Sequence, residues 1–97
     1  MREVYMQAIL LDAIETFGVQ NQCVKATEEL AELIKEITKF IIGEGNTDHL
    51  VEEMADAEIM IEQLKIIFDI KPVDIEIKRI RKLNRLIDTI KEKKNEK

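Results

Sequence analysis

The chain has few of the residues that build disulfides, zinc fingers and tight turns. Its 97 residues include one cysteine, one histidine, one proline and three glycines, and no tryptophan. One cysteine permits no internal disulfide, and with a single histidine it cannot supply the four ligands of a structural zinc site. No apolar run approaches the roughly 20 residues that cross a bilayer, and residues 1–4 lack the apolar segment of a signal peptide. We therefore expect a cytoplasmic protein with no membrane partner.

The residues that are present favour helices. Hydrophobic residues make up 45% of the chain and charged residues 36%, and the apolar positions recur at the three-and-four spacing of amphipathic helices. Glycines, a cap at Thr47 or Asp48 and a proline mark the expected helix ends. The predicted helices cover about residues 2–17, 21–42, 47–68 and 72–90, with 91–97 expected to fray.

We expect one all-α domain over residues 1–97, a four-helix bundle. The second and third helices are joined by a short turn, so they should form a central antiparallel hairpin with the other two helices flanking it. A chain of this length buries only a small core. The third predicted helix also carries apolar residues on several sides, more than one hairpin partner covers. Both observations indicate that other copies of the chain complete the bundle.

Charge is distributed unevenly along the chain. Residues 1–77 carry six Lys/Arg and seventeen Asp/Glu, a balance of −11, whereas residues 78–97 carry nine and three, a balance of +6. An acidic body with a basic C-terminal helix suits a cation and an anion together, as in a metal-bound polyphosphate. Nucleic acid is a disfavoured partner, because the isoelectric point is about 4.9 and no aromatic residues alternate with the basic ones.

Two carboxylate pairs predict a metal site. Glu29 and Glu32 lie three apart on the second predicted helix, and Glu53 and Asp56 lie three apart on the third. Residues at this spacing share a helix face, and an antiparallel hairpin would bring the two pairs together. Four converging carboxylates repel unless a cation lies between them. All-oxygen ligands favour Mg²⁺, with Mn²⁺ the alternative.

Other polar residues near these pairs suit phosphate chemistry. Glu28 and Glu36 are the carboxylates left as candidates for the base that takes a proton from water. Three cationic side chains are candidates for binding phosphate: Lys35, Lys82 and Arg85. The simpler interpretation of either carboxylate pair alone is a solvated helix face, because Glu is a good helix former. Cys23 is expected to pack in the core, and His49 is expected to be exposed without a role.

Two segments resemble a known family. Residues 22–33 contain Glu28-Glu29-Leu30-Ala31-Glu32, and residues 52–64 contain Glu53-Met54-Ala55-Asp56. Together they are similar to the signature E-E-x-x-E, a variable gap, then E-x-x-D, of the MazG-like all-α nucleoside triphosphate pyrophosphohydrolases. The resemblance implies Mg²⁺-dependent cleavage of a nucleoside triphosphate between its α and β phosphates, which gives a nucleoside monophosphate and pyrophosphate.

The resemblance also implies residue roles and an assembly. Glu29, Glu32, Glu53 and Asp56 would be the metal ligands, with Glu28 an accessory ligand or water-orienting group. Gln22 and Lys25 match positions that are often polar in the family, and residues 82–86 are similar to its basic C-terminal segment, so these residues would bind substrate. The fold would be a MazG-like bundle in a homodimer or homotetramer. The alternative function is a non-catalytic helical oligomerisation or interaction module.

Overall fold

The structure, a computed structural model, describes residues 2–96. Within that range the chain is entirely helical, with four helices and no strand, which confirms the predicted all-α class and is compatible with a four-helix bundle. The helices are α1 (Arg2–Phe17), α2 (Val19–Ile41), α3 (Thr47–Ile67) and α4 (Pro72–Asn95).

The helix ends follow local residue chemistry. Gly18 is the only non-helical residue between α1 and α2, and its φ of 92° lies in a region that L side chains avoid. The α2–α3 turn contains Gly43, also at positive φ, and ends at Asn46. Asn46, and not the expected Thr47 or Asp48, caps α3, because its side chain accepts a hydrogen bond from the backbone N–H of His49. Pro72 begins α4, where its missing N–H costs nothing. Each of these ends lies within two residues of the predicted one.

The core of the molecule is the α2–α3 hairpin, with α1 packed against both helices. Gln22 contacts Gln63 at one end of the hairpin and Glu36 contacts His49 beside the turn, so the two helices run antiparallel. On α2, the buried and half-buried residues along this contact are spaced alternately four and three residues apart in the sequence: Gln22, Ala26, Glu29, Leu33 and Glu36. On α3 they are Leu50, Glu53, Ala57, Met60 and Gln63. The hairpin therefore packs like a short coiled coil with polar residues at several of its central positions.

The packing of α2 differs from the expected one. The helical spacing of the apolar residues in this segment predicts a core-facing stripe with Gln22 and Glu36 half-buried along its edge, and the stripe comprises Cys23, Ala26, Leu30, Leu33, Ile34, Ile37, Phe40 and Ile41. Instead Gln22 and Glu36 are buried, whereas Ile34 and Ile41 are 63% and 78% exposed. The reason is that α2 turns Gln22, Ala26 and Glu36 toward α3, and this leaves long apolar side chains such as Ile34 and Ile41 facing outward.

Helix α4 packs against none of the other helices described in residues 2–96. It continues to Asn95, so the helix covers most of the segment that was expected to fray; Lys97 lies outside the described residues. The Cα radius of gyration is 17.1 Å, whereas a compact domain of 100 residues has about 13 Å. The apolar stripe of α4 is exposed along its length: Val73, Ile77, Ile80, Leu83, Ile87 and Ile90.

Candidate metal centre

Three carboxylates from the two hairpin helices converge at the middle of the hairpin. Glu29 of α2 and Glu53 and Asp56 of α3 each offer one oxygen, and these oxygens lie within 4.8 Å of one another. Glu29 and Glu53 are half-buried and Asp56 is exposed. We call these three residues the carboxylate cluster. It is anchored inside the hairpin and open to solvent on the Asp56 side.

Glu53 holds the least compensated charge of the cluster. Its Oε2 atom is buried and has no hydrogen-bond partner within residues 2–96. Burial raises the pKa of the Glu53 carboxyl above its usual 4.5, and the negative charges of Asp56, Glu29, Glu32 and Glu36 raise it further. Both causes disfavour the ionised form. The hairpin therefore places a carboxylate where a cation would stabilise it.

One lysine partly compensates the cluster. Lys25 Nζ lies 2.9 Å from Glu29 Oε1, one helical turn away on α2. The hydrogen bond to Glu29, followed by the charge of that carboxylate, raises the pKa of Lys25 above 10.5. Half of the Lys25 side chain remains exposed, so this ion pair is at the rim of the cluster and not in the hairpin interior.

The cluster fits a hard divalent cation. All its donor atoms are carboxylate oxygens, the donors that Mg²⁺ and Mn²⁺ take in proteins. Three carboxylates face a single ammonium group, which leaves negative charge in excess. The unpaired Oε2 of Glu53 is the kind of buried acceptor that a bound ion would satisfy. Glu29, Glu53 and Asp56 are therefore suited to hold such an ion.

Two further predicted site residues lie outside the cluster. Four carboxylates were expected to converge, but Glu32 is exposed and does not reach the other three. It lies at the outer edge of the α2–α3 contact and acts on Glu53 only through its charge. Glu28 is exposed on the same side of the hairpin as Lys25, whose pKa its charge helps to raise. Both carboxylates are accessible from solvent.

The other candidate base, Glu36, is buried near the turn. Its carboxylate is 9% exposed, with Oε2 3.5 Å from Lys39 Nζ and Oε1 3.9 Å from His49 Nδ1. His49 was expected to be exposed, and its side chain is 59% exposed. Its contact with Glu36 was not predicted, because nothing in the sequence pairs a residue in the first turn of α3 with α2.

Gln22, expected to bind substrate, is held inside the hairpin. Its Nε2 donates a 2.7 Å hydrogen bond to Oε1 of Gln63, which is 2% exposed. The burial of Gln63 was not predicted from the sequence. The signal that could have indicated it is its position three residues after Met60, on the apolar side of α3. This amide pair closes one end of the hairpin.

The structure does not bring the remaining predicted phosphate-binding residues to the cluster. Lys35 is exposed on α2. Lys82 and Arg85 are exposed on α4, which makes no packing contact with the hairpin in the described part of the chain. In a single chain, Lys25 is therefore the cationic side chain beside the carboxylates.

No protein-family model, curated protein or solved structure matches this chain. The helices of residues 2–96 are each too short or too polar to cross a membrane. The fold and the site define an all-α protein with a carboxylate cluster at the centre of a helical hairpin.

Proposed function

We propose that this chain is a divalent-cation-dependent nucleoside triphosphate pyrophosphohydrolase of the MazG-like type, acting in the cytoplasm. The observation that carries the proposal is the carboxylate cluster, in which oxygens from two helices approach within 4.8 Å around a buried, unpaired oxygen of Glu53. The E-E-x-x-E and E-x-x-D spacing of the sequence supports the same assignment.

Each residue near the cluster has a proposed part. Glu29, Glu53 and Asp56 hold Mg²⁺, or Mn²⁺, and Glu32 adds negative charge at the edge. The ion, when bound, neutralises polyphosphate charge and makes a water molecule easier to deprotonate. Lys25 binds a phosphate oxygen at the rim, since its exposed ammonium group is already fixed beside Glu29.

The choice between the two candidate bases follows from exposure. A base must reach the attacking water, directly or through one other water. Glu28 is exposed at the solvent side of α2, whereas Glu36 is nine-tenths buried against Lys39 and His49. We therefore assign proton abstraction to Glu28 and exclude Glu36 from direct contact with substrate.

Product identification tests this proposal. The full chain is incubated with Mg²⁺ and a panel of nucleoside and deoxynucleoside triphosphates, and pyrophosphate, orthophosphate and nucleotide products are measured. We expect equal amounts of pyrophosphate and monophosphate, and no reaction with excess chelator.

Matched variants test the site. Loss of an outer partner of a metal ligand costs about 10–100-fold, so Glu53→Gln should lower the rate at least about tenfold. The control Glu52→Gln changes an exposed carboxylate next to it on α3 and should retain the wild-type rate. An unchanged rate in folded Glu53→Gln, or orthophosphate as the only inorganic product, would refute the proposal.

We also propose that the working form is a homodimer or homotetramer in which α4 packs against another copy. The exposed apolar stripe of α4 is 44–58% exposed and has no partner in its own chain. Residues 78–97 carry a balance of +6 and residues 1–77 one of −11, so charge also favours contact between α4 and a neighbouring body. Lys82 and Arg85 lie on the opposite, basic face of α4 and would point away from a contact made through the stripe.

Light scattering after gel filtration tests the assembly. Ile80→Asp places a charge within the apolar stripe and should shift the mass toward that of the monomer. Thr89→Asp adds the same charge on the opposite face of α4 and should leave the mass unchanged. A wild-type monomer at all concentrations would refute this part of the proposal.

The exposed apolar surface also favours a second candidate function, a non-catalytic oligomerisation module. A ligand that binds only the folded state stabilises it by RT ln(1 + [L]/Kd). An assembled protein with no Mg²⁺-dependent rise in melting temperature and no pyrophosphate release would be this module and not the hydrolase.

A further inference from the structure

A second group of potential cation ligands lies closer to the α2–α3 turn than the carboxylate cluster does. Glu36 of α2 and His49 in the first turn of α3 approach each other, with Glu36 Oε1 3.9 Å from His49 Nδ1. Neither residue belongs to the cluster formed by Glu29, Glu53 and Asp56. The two side chains come from different helices, so the hairpin itself fixes their separation.

Glu36 has an unsatisfied oxygen although it is one of the most buried charged residues. The residue is 7% exposed, and its Oε2 accepts no hydrogen bond from any residue in the range 2–96. Lys39 Nζ is 3.5 Å away, close enough for an ion pair but without a hydrogen bond to that atom. Burying a carboxylate without full compensation is unfavourable. The buried carboxylate is therefore only partly compensated, by a lysine whose side chain is 39% exposed.

The distance between Glu36 and His49 suits one bridging ion. A first-row divalent cation lies about 2.0–2.2 Å from an imidazole nitrogen or a carboxylate oxygen. Two such bonds place their donor atoms about 3.4 Å apart at a tetrahedral angle and up to roughly 4.3 Å apart at wider angles, and the observed separation of Nδ1 and Oε1, 3.9 Å, lies between these values. His49 is 59% exposed, so water can complete the coordination from the solvent side.

We infer that Glu36 and His49 form a second divalent-cation site, separate from the carboxylate cluster, that prefers transition-metal cations to Mg²⁺. The preference follows from the donor set, because an imidazole nitrogen suits cobalt, nickel and zinc, whereas Mg²⁺ takes oxygen donors. The ion would bind Glu36 through Oε1, place positive charge beside this buried carboxylate, and join α2 to the first turn of α3. This site does not depend on hydrolysis at the cluster.

Cobalt is the probe for the test, because Co²⁺ is paramagnetic and coloured. The full, untagged chain is first given Mg²⁺ in excess to occupy the carboxylate cluster and is then titrated with Co²⁺. His49 is the only histidine in the sequence, so the protein has a single set of imidazole NMR signals. We expect these signals to shift or broaden with the first equivalent of Co²⁺, together with visible absorption bands from the bound ion.

Variants separate the two sites. His49→Ala and Glu36→Gln should each weaken Co²⁺ binding at least about tenfold in excess Mg²⁺, since even outer partners of ligands contribute that much. Asp48→Asn, a change in the neighbouring exposed carboxylate of the same helical turn, should leave Co²⁺ binding unchanged. The Mg²⁺-induced rise in melting temperature should persist in His49→Ala, because that ion binds elsewhere.

Unperturbed His49 signals in wild-type protein with Co²⁺ bound would overturn the inference, as would unchanged Co²⁺ affinity in His49→Ala. The wild-type signals are decisive even if a variant fails to fold. A wild type that binds Co²⁺ through His49 but shows no Mg²⁺-induced stabilisation would support this second site while refuting the proposed cluster. The two proposals can therefore fail separately.

Discussion

The buried amide pair Gln22–Gln63 provides a quantitative test of how the hairpin is held. The two side chains are 8% and 2% exposed and share one 2.7 Å hydrogen bond. Methionine has nearly the shape of glutamine but makes no strong hydrogen bond. Gln22→Met and Gln63→Met therefore each remove one partner and leave the other amide buried and unpaired.

The expected effects are unequal for single and double changes. A buried polar group that loses its partner costs about 1–3 kcal/mol, whereas replacing both partners with apolar groups of the same shape is nearly neutral. For a domain of 60–100 residues, 1 kcal/mol shifts the melting temperature by about 4–8 °C. Each single variant should thus melt roughly 4–24 °C lower, and the double variant should melt close to wild type.

The measurement is thermal and urea unfolding of all four proteins at one fixed concentration, since the proposed assembly would make stability depend on concentration. A double variant that loses the sum of the two single losses would refute the coupling. Activity in the same proteins decides whether Gln22 also contacts substrate. Wild-type stability with lost activity in the double variant would indicate that it does, whereas recovery of both would assign it to packing alone.

Three further predictions concern single positions. Without divalent cations, the stability that depends on Glu53 should fall as pH rises from the usual pKa of 4.5 through the raised pKa of the folded state, because the ionised form is disfavoured there. The melting temperature of Glu53→Gln minus that of wild type should therefore grow as pH rises above 4.5, and a difference independent of pH would contradict this. A Cβ on Gly45 would overlap the Phe40 ring, so Gly45→Ala should lower the free energy of unfolding by about 1–3 kcal/mol in urea. Wild-type stability in this variant would mean that the ring moves aside freely. Asn46→Ala removes the hydrogen bond to the backbone N–H of His49 and should cost about 1 kcal/mol, whereas Asn46→Asp should largely keep that stability in the same assay.

The helices could be predicted from the sequence because their signals are local. Gly18, Asn46 and Pro72 act on the backbone within one turn, and the helix ends beside them lie within two residues of the expected ones, whereas α4 ends five residues later than expected. The class of the fold follows from the same periodicity. The side of α2 that faces α3 could not be predicted in this way. Hydrophobicity alone predicts that the apolar stripe faces α3, whereas the residues buried at that contact are Gln22, Ala26 and Glu36.

Part of the candidate site was also predictable from spacing. Glu29, Glu53 and Asp56 were expected together and the structure brings them together. Glu32 lies apart from them because of the direction of its side chain at the edge of the α2–α3 contact. The spacing of residues in the sequence does not predict this direction. The approach of His49 to Glu36 depends on the length of the α2–α3 turn, a tertiary property.

The isolation of α4 ties its secondary structure to the amount of protein present. Helix formation by a single segment in water is marginal unless packing supports it, and α4 receives no support from α1 to α3. Its amide protons should exchange with solvent deuterium rapidly in dilute samples and slowly in concentrated ones, while those of the hairpin stay protected in both. Under the proposed assembly, folding of α4 would thus require an encounter between chains.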